Sequence, residues 1–285
     1  MKYILNWFYG LSYQFRKSIK MSILIIGIIS TIMTIIGMSL NDFVKNRWYS
    51  FGIVIVAFIV IMLIFYYGIE ILYKKSISFK IKSTQIFIRR GNLFSVAGWK
   101  IIGCDTHFDT RVDDVVVSKK SLHGQLFLEH GKIGEIKKVV KNEAKRLHLS
   151  AAADDDEGQY NFPVGTIIRY VSSVDNQTYL MLAMTELDDN YKARTNMARF
   201  EQMLMKMWSE IDRVYASHDI VLPLLGTGIL RFDDGPKNIR ALLKCLLCTL
   251  NNSGITFNST VTIVIPDQIK DLPLYEYRHM FQSLK

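Results

Sequence analysis

The sequence predicts an N-terminal transmembrane helical hairpin followed by an α/β domain, a sandwich in which helices cover both faces of a mixed sheet. Two long runs without a charged residue lie within the first 75 positions, and beyond them short apolar runs alternate with amphipathic helical segments. The 285 residues therefore divide into a membrane domain, residues 1–75, and a cytoplasmic domain, residues 76–285.

The uncharged runs cover residues 21–40 and 51–69. At a rise of about 1.5 Å per residue, each run can cross a hydrocarbon core of roughly 30 Å. We predict transmembrane helices at about residues 20–40 and 51–72; buried core helices are the alternative. Neither run holds an ionisable residue at its midplane, which argues against solute transport by one chain. Any pore would require several copies.

The distribution of cations predicts the orientation of the hairpin. Four cations precede the first run and four follow the second, whereas the connecting loop carries two. They are Lys2, Arg16, Lys17 and Lys20, then Lys74, Lys75, Lys80 and Lys82, with Lys45 and Arg47 in the loop. The positive-inside rule then places both termini in the cytoplasm.

The net charge of +9 belongs to the N-terminal third of the chain. Residues 1–90 contain 12 lysines and arginines against 2 acidic residues, whereas residues 91–285 contain 23 against 24. A nucleic-acid-binding domain normally has a basic face of its own, so we expect no nucleic-acid partner. Three cysteines, Cys104, Cys245 and Cys248, do not make a disulfide framework and are typical of the reducing cytosol.

The remaining elements follow from apolar periodicity and turn residues. We predict helices at residues 133–147, 196–215 and 272–284, and a helix at 239–250 with Pro236 in its first turn. Strands are predicted at residues 77–81, 86–88, 99–104, 162–171, 179–184, 219–225 and 261–265, with a turn near Ser83 and Thr84.

A glycine-rich bend follows the strand at residues 219–225. Its residues are Gly226, Thr227, Gly228, Ile229, Leu230, Arg231 and Phe232. Glycine lets the backbone turn tightly and bring its N–H groups to an anion such as a pyrophosphate. No Gly-Lys-Ser/Thr follows, so a metal-triphosphate site lacks its lysine and hydroxyl. A plain strand-to-helix turn is the alternative.

A second candidate loop, residues 105–124, follows the predicted strand at 99–104. Ligands of α/β proteins bind at the carboxyl ends of strands, although a solvated loop would have the same composition. Asp105, Asp109 and His123 could act as acid or base if they converge. Adjacent carboxylates such as Asp113 and Asp114 point to different sides of an extended chain, so we predict no metal site.

These two loops resemble the ligand loops of macro domains. In that family a Gly-x-Gly segment, here residues 226–228, wraps the distal ribose and phosphates of ADP-ribose, and the first ligand loop occupies the place of residues 105–124. Macro domains also carry a Gly-Asp-Ile/Leu segment whose Asp accepts from the adenine amino group. This chain has Asn92 and Leu93 there, and an amide can still accept that hydrogen bond.

Within the macro domains, the chain resembles the membrane-bound Thoeris antiphage effectors through Phe108-Asp109-Thr110 followed by Ser121-Leu122-His123-Gly124. The resemblance covers roughly residues 79–285, and the hairpin extends it to the whole architecture. It implies an ADP-ribose conjugate as ligand, made from NAD by a TIR-domain partner enzyme and carrying histidine or imidazole, with no tightly bound cofactor. It also implies a homo-oligomer that disrupts the bacterial inner membrane, causing cell death or growth arrest.

The first loop lacks the Asn-Ala-Asn step and the glycine run of macro hydrolases, so we expect a reader without a catalytic residue. A membrane-tethered ADP-ribosyl hydrolase, a reader unrelated to defence, a passive tether and a channel subunit remain the alternatives. The predicted ligand-contacting residues are Asn92, Leu93, Asp105, Thr106, Phe108, Asp109, Ser121, Leu122, His123, Gly124, Gly226, Thr227, Gly228, Ile229, Leu230, Arg231 and Phe232.

Overall fold

A computed structural model describes residues 13–37, 47–73, 75–151, 160–187, 192–228 and 230–269, together with Leu272, Leu274 and Tyr277. The chain divides into two compact units. The first comprises Met1–Ile77 and Pro273–Met280, and the second comprises Ser78–Leu272 and Phe281–Lys285.

Two long helices dominate the described part of the first unit, α1 (Tyr13–Ile36) and α2 (Arg47–Tyr73). Each contains a 22-residue stretch, Phe15–Ile36 and Trp48–Ile69, that is long and apolar enough to cross a membrane. Only 6% of each stretch is buried within the protein. Core helices of a soluble domain would instead be mostly buried.

The two helices are antiparallel neighbours. The rings of Phe15, near the start of α1, and Tyr66, near the end of α2, lie edge to face with their centroids 6.4 Å apart. Ser22 is buried on the next turns of α1, and its hydroxyl donates to the Ser18 carbonyl at 2.8 Å, which satisfies it without water. Helix α1 ends at Ile36, and Gly37 after it adopts φ +77°. Residues 38–40 of the predicted span lie outside the described residues.

The second unit is built on a seven-stranded mixed sheet with the order β1-β2-β9-β7-β3-β5-β4. Its strands are β1 (Ser76–Ile81), β2 (Thr84–Arg90), β3 (Trp99–Asp105), β4 (Ile167–Val171), β5 (Thr178–Thr185), β7 (Ile220–Pro223) and β9 (Thr260–Ile265). Strands β2, β9, β7, β3 and β5 are parallel, and β4 pairs antiparallel with β5. The four residues of β7 are all buried, as expected for a central strand covered on both faces.

Three helices cover the sheet: α4 (Ile133–Arg146), α5 (Met197–Val214) and α6 (Ile239–Asn252). The short helix α3 (Leu122–Gln125) and a π-helical turn, Leu126–His130, precede α4. Helix α4 packs Ile136, Val140 and Ala144 into one core cluster with Ile102 and Met181. Side chains alternate between the two faces of a strand, so the residues next to Ile102 and Met181 point to the other face of the sheet. Those residues are also buried, and helices α5 and α6 cover that face. The predicted α/β/α sandwich with a mixed sheet is confirmed.

Several predicted boundaries need correction. Helix α6 begins at Ile239, because the Asn238 side chain caps it by accepting from Arg240 N at 2.8 Å, so Pro236 lies before the helix and not in its first turn. Strand β4 begins at Ile167, and the five residues before it, predicted as strand, form a loop with a turn at residues 164–165. The turn between β1 and β2 is at residues 82–83, one position earlier than predicted. Most of the predicted helix 272–284 lies outside the described residues.

A polar cluster stabilises the turn between β4 and β5. The Tyr179 hydroxyl donates to Asp175 Oδ2 at 2.6 Å, and Gln177 N donates to Asp175 Oδ1 at 3.0 Å. His130 Nδ1 lies 3.1 Å from the same carboxylate. Burial alone raises the pKa of Asp175, but these donors outweigh it and hold the pKa below its ordinary value. Lys100, which is 1% exposed, completes the cluster by donating to Gln177 Oε1 at 3.0 Å.

Candidate functional site

A cleft of about 350 Å³ opens in the second unit where β3, β5, β7 and β9 reach their carboxyl ends. This is the edge at which open α/β sheets bind ligands, and the volume is within the range of small-molecule sites, roughly 300–1,000 Å³. The lining residues are Gly103, Cys104, Asp105, Val116, Val117, Ser118, Lys120, Ser121, Leu122, His123, Met184, Thr185, Leu187, Ala193, Pro223, Leu224, Leu225, Gly226, Thr227, Gly228, Leu230 and Pro266.

The structure brings eight of the predicted site residues together in this lining. They are Asp105, Ser121, Leu122, His123, Gly226, Thr227, Gly228 and Leu230. Eight others are outside the lining, namely Asn92, Leu93, Thr106, Phe108, Asp109, Gly124, Arg231 and Phe232. Ile229 lies outside the described residues.

The glycine bend is held by its surroundings. Gly226 has φ +84°, and a Cβ atom there would lie 3.2 Å from Leu242 Cδ2 and 3.3 Å from Phe200 Cζ, so glycine suits the position on both counts. The Thr227 hydroxyl donates to the Leu224 carbonyl at 2.7 Å and closes the turn. At Gly228 a Cβ would meet nothing within 4 Å. Glycine at this second position is therefore not required by packing within the protein.

The backbone N–H groups of Gly226, Thr227 and Gly228 have no hydrogen bond within the described part of the chain, and these residues line the cleft. Consecutive N–H groups in a glycine-rich turn form a cradle that favours an anion. The bend thus has the chemistry of an anion site.

The first loop is organised by Asp105, the last residue of β3. Its carboxylate accepts from His107 N at 2.7 Å and from Asp109 N at 3.3 Å, so it folds the chain back on itself. Phe108 adopts φ +52° and is 2% exposed, with its ring edge to face against Phe162 at 5.1 Å. Phe108 therefore anchors the loop in the core and does not face the cleft.

His123 comes to the cleft from the other end of this loop. Ser121 caps α3 by accepting from Gly124 N at 3.0 Å, and His123 lies in the first turn with 6% of its surface exposed. Its Nδ1 atom is 3.8 Å from Asp105 Oδ2, so two of the three residues proposed as acid or base do converge. Burial lowers the pKa of His123, and the Asp105 carboxylate and Asp109 oppose that effect only in part.

Gly124 serves packing. A Cβ at this position would overlap the Ser118 carbonyl, so α3 can lie against Ser118 and Lys119 only with glycine there. Gly124 therefore contributes to the shape of the cleft from behind its wall.

Asn92 and Leu93 follow β2, beside β9, and both have structural roles. The Asn92 side chain accepts from Phe94 N at 2.9 Å and caps the 3₁₀ turn Leu93–Ser95, and Leu93 is 3% exposed in the core. The adenine contact predicted for them stays a prediction. Asn92 and Leu93 follow β2, and the cleft residue Pro266 follows the neighbouring strand β9, so all three lie at the edge of the sheet where the cleft opens.

Arg231 and Phe232 form β8 (Arg231–Phe232), which pairs in parallel with β6 (Arg194–Thr195). Arg194 Nε lies 3.0 Å from Asp233 Oδ1, which ties the two short strands together. These strands connect the glycine bend to the segment that supplies Leu187 and Ala193 to the cleft. The pair therefore supports the cleft wall from outside the lining.

The part of the chain that forms the cleft matches a known protein family. Residues 86–266, which contain β9, β7, β3, β5, β4 and both loops, match the family described as the macro domain of Thoeris protein ThsA. The chain belongs to this family. Thoeris protein ThsA of Bacillus amyloliquefaciens (strain Y2) is 26% identical over 204 residues, which span 69% of this chain and 67% of that protein.

Solved macrodomains of Oceanobacillus iheyensis have a similar fold. A mutant with ADPR is 13% identical and has a TM-score of 0.47, covering 74% of this chain and 100% of the macrodomain. The structure with ADP is 12% identical and also has a TM-score of 0.47, covering 73% and 97%.

Fourteen of the 22 residues that line the cleft were not predicted from the sequence, and two groups of four stand out. One missed group, Val116, Val117, Ser118 and Lys120, lies within the predicted first loop. The other, Met184, Thr185, Leu187 and Ala193, follows β5. The rule that selected the residues after β3 and β7 also applies to β5, so its carboxyl end was a usable signal.

Among the described residues, no group of three or more His, Cys, Asp or Glu side chains is arranged to hold a metal ion. Asp113 and Asp114 instead accept from backbone N–H groups of their own loop. Asp113 Oδ1 accepts from Val115 N at 2.8 Å and Asp114 Oδ1 accepts from Lys119 N at 2.8 Å. These carboxylates shape the first loop of the macro domain.

Proposed function

We propose that this protein is a membrane-anchored antiphage effector whose cytoplasmic macro domain binds an ADP-ribose conjugate derived from NAD. The observation that carries the proposal is the cradle of free N–H groups at residues 226–228, in the cleft of a Thoeris-family macro domain. In this proposal a TIR-domain partner makes the conjugate during infection, and histidine or imidazole is the attached group. No cofactor is bound tightly.

The ligand would lie along the cleft with its pyrophosphate on the glycine bend, because three consecutive N–H groups there have no hydrogen bond within the described part of the protein. Its adenine would lie towards Asn92 and Leu93 at the adjoining strand end. The group attached to the distal ribose would lie against the first loop, where Asp105, Ser121 and His123 line the wall.

Ligand binding would then shift the protein towards an assembled state, in which clustered hairpins disrupt the membrane. The exposed apolar stretches of α1 and α2 support this step, because two such helices can insert but cannot enclose a pore alone. The test is dye release from liposomes that contain the full-length protein. Histidine-ADP-ribose should cause release, ADP alone should not, and equal release without any nucleotide would contradict ligand gating.

The proposed topology is multi-pass in the bacterial inner membrane, with both termini and the macro domain in the cytoplasm. Two single-cysteine variants of a chain without its native cysteines test it. Cysteine at Asn46, in the connecting loop, should react with an impermeant maleimide in intact spheroplasts. Cysteine at Lys82, in the exposed turn between β1 and β2, should react only after lysis. The reverse labelling pattern would contradict the orientation.

A second candidate function is ADP-ribosyl hydrolysis, and one observation favours it: His123 and Asp105 lie 3.8 Å apart in the cleft. The first loop nevertheless lacks the Asn-Ala-Asn step of macro hydrolases, so binding without turnover is the main proposal. Mono-ADP-ribosylated peptide incubated with the protein should stay intact. Release of ADP-ribose that disappears in His123→Phe would instead establish the hydrolase.

A further inference from the structure

The wall of the cleft contains a buried polar atom without a partner. Among the described residues, His123 Nε2 is a buried side-chain atom without a hydrogen-bond partner, and His123 lines the cleft. Thr106 Oγ1 is another, but Thr106 is outside the lining. A buried polar atom that stays unpaired is costly, so an unpaired atom at a cleft wall indicates a group that arrives with the ligand.

The surroundings of His123 decide which hydrogen-bonding role Nε2 has. The ring donates a hydrogen bond to the backbone carbonyl of Asp109, and because Nε2 has no partner among the described residues, the donated proton is on Nδ1. The Asp105 carboxylate, 3.8 Å from Nδ1, favours the proton on the same side. Burial lowers the pKa of His123, which keeps the ring neutral at pH 7. In a neutral ring with hydrogen on Nδ1, Nε2 has a lone pair and accepts.

The orientation of the ring is held by Phe127 and Asp105, in addition to the hydrogen bond to the Asp109 backbone. His123 lies edge to face with Phe127, with ring centroids 4.5 Å apart and planes at 89°. Asp105 is itself held by the N–H groups of His107 and Asp109, so its carboxylate cannot turn away freely. Phe127 and Asp105 thus hold the acceptor in place before any ligand binds.

We infer that His123 is a specificity-determining residue that accepts a hydrogen bond from a hydroxyl or N–H group of the ligand, with Asp105 as its positioning residue. The inference rests on the proposed function and deepens it by naming the chemistry read at one end of the cleft. A phosphate or carboxylate oxygen only accepts, so beside Nε2 it would leave both atoms unpaired and would be repelled by Asp105.

The cleft is therefore polarised. The glycine bend offers donors and suits an anion, whereas the His123–Asp105 wall offers acceptors and suits a hydroxyl-rich group. A nucleoside diphosphate that carries a sugar matches this pattern in one direction only, with its phosphates on the bend and its terminal sugar hydroxyls on His123.

Isothermal titration of the full-length protein in detergent with two probes, ADP-ribose and ADP, tests the inference. Wild type should prefer ADP-ribose. His123→Phe keeps an aromatic ring but removes the acceptor, and it should weaken ADP-ribose about 10- to 100-fold while leaving ADP unchanged. His107→Phe is the matched control, because His107 also lies beside Asp105, at 3.9 Å, but outside the lining, and it should change neither affinity.

The outcomes separate the two levels of the proposal. If wild type binds both probes and His123→Phe changes both equally or neither, the role of His123 is wrong while the proposed function stands. If wild type binds neither probe nor histidine-ADP-ribose, the proposed function fails and the inference with it. His123→Gln restores an amide acceptor and should recover part of the preference for ADP-ribose.

A second measurement does not depend on ligand or on the folding of the phenylalanine variant. Nitrogen NMR of the full-length protein labelled in its histidines should show His123 neutral with Nε2 unprotonated, the signal being identified by its loss in His123→Gln. Asp105→Asn should shift the ring towards the other tautomer, which a purely structural role of Asp105 would not do. A proton on Nε2 in wild type would overturn the inference.

Discussion

The two glycines of the bend should respond differently to the same substitution. At Gly226, alanine would have to keep φ +84°, and its Cβ would lie 3.2 Å from Leu242 and 3.3 Å from Phe200. At Gly228, the structure places no atom within 4 Å of a Cβ, and the backbone is outside the left-handed region. Gly226→Ala should therefore affect the fold, and Gly228→Ala should affect the ligand alone.

The left-handed conformation costs a residue with a Cβ about 1–2 kcal/mol. For a domain of this size, each kcal/mol lowers the melting temperature by about 2–4 °C, so Gly226→Ala should lower it by about 2–8 °C. The melting temperature of Gly228→Ala should match that of wild type. A methyl group at Gly228 would stand between the N–H cradle and a bound phosphate, and it should weaken ADP-ribose on the order of tenfold.

The assay combines thermal unfolding of the full-length protein in detergent with titration of ADP-ribose at a temperature where both variants are folded. Wild-type affinity in Gly228→Ala would refute the reasoning that the backbone of the bend approaches the phosphates. Wild-type stability in Gly226→Ala would show that the bend can rearrange without cost.

Three further predictions concern stability, reactivity and the membrane. Tyr179→Phe removes the donor to Asp175 and should cost about 1.5–3 kcal/mol at neutral pH. The pKa of Asp175 is lowered in the fold, so its contribution to the free energy of unfolding is complete above its ordinary pKa and is lost as the pH falls through the folded pKa. The difference in stability between wild type and Tyr179→Phe, measured by denaturation, should therefore be smaller near pH 3. Cys104 lines the cleft, but burial and Asp105 raise the pKa of its thiol well above the ordinary value; mass spectrometry should find it unmodified by iodoacetamide until the protein unfolds. Ile59→Lys in α2 should cost about 2.5–3.5 kcal/mol of insertion and lower the fraction that resists carbonate extraction, whereas Ile59→Ala should not.

Local patterns in the sequence predicted the elements that depend on neighbouring residues. Helices α4 and α5 follow from apolar residues at three- and four-residue steps, and the structure has them within two residues of the predicted ends. The start of α6 was predicted from Pro236, but the helix begins three residues later, at Ile239, because the Asn238 side chain caps it. The strand predicted at residues 219–225 ends earlier, with β7 at Pro223, because the buried apolar residues Leu224 and Leu225 continue the pattern past the strand end.

The candidate site was predictable to the extent that strand ends indicate it. Asp105 and Gly226 each follow a buried parallel strand, so the sequence alone placed them at one edge of the sheet. It could not separate Phe108, which is turned into the core by its left-handed backbone, from His123, which faces the cleft. Met184 and Thr185 end the parallel strand β5 and could have been selected by the same rule. The approach of Leu187 and Ala193 to the bend depends instead on the pairing of β6 with β8, a contact between segments 37 positions apart.

By itself, the sequence determined that two apolar segments precede an α/β domain and that a double-glycine bend follows its central strand, because periodicity, charge and glycine content are properties of short windows. Only the tertiary structure decided that Asp105 and His123 lie 3.8 Å apart and that Nε2 is buried without a partner. Distances between residues far apart in the chain depend on how strands and helices pack together, and no local pattern contains them.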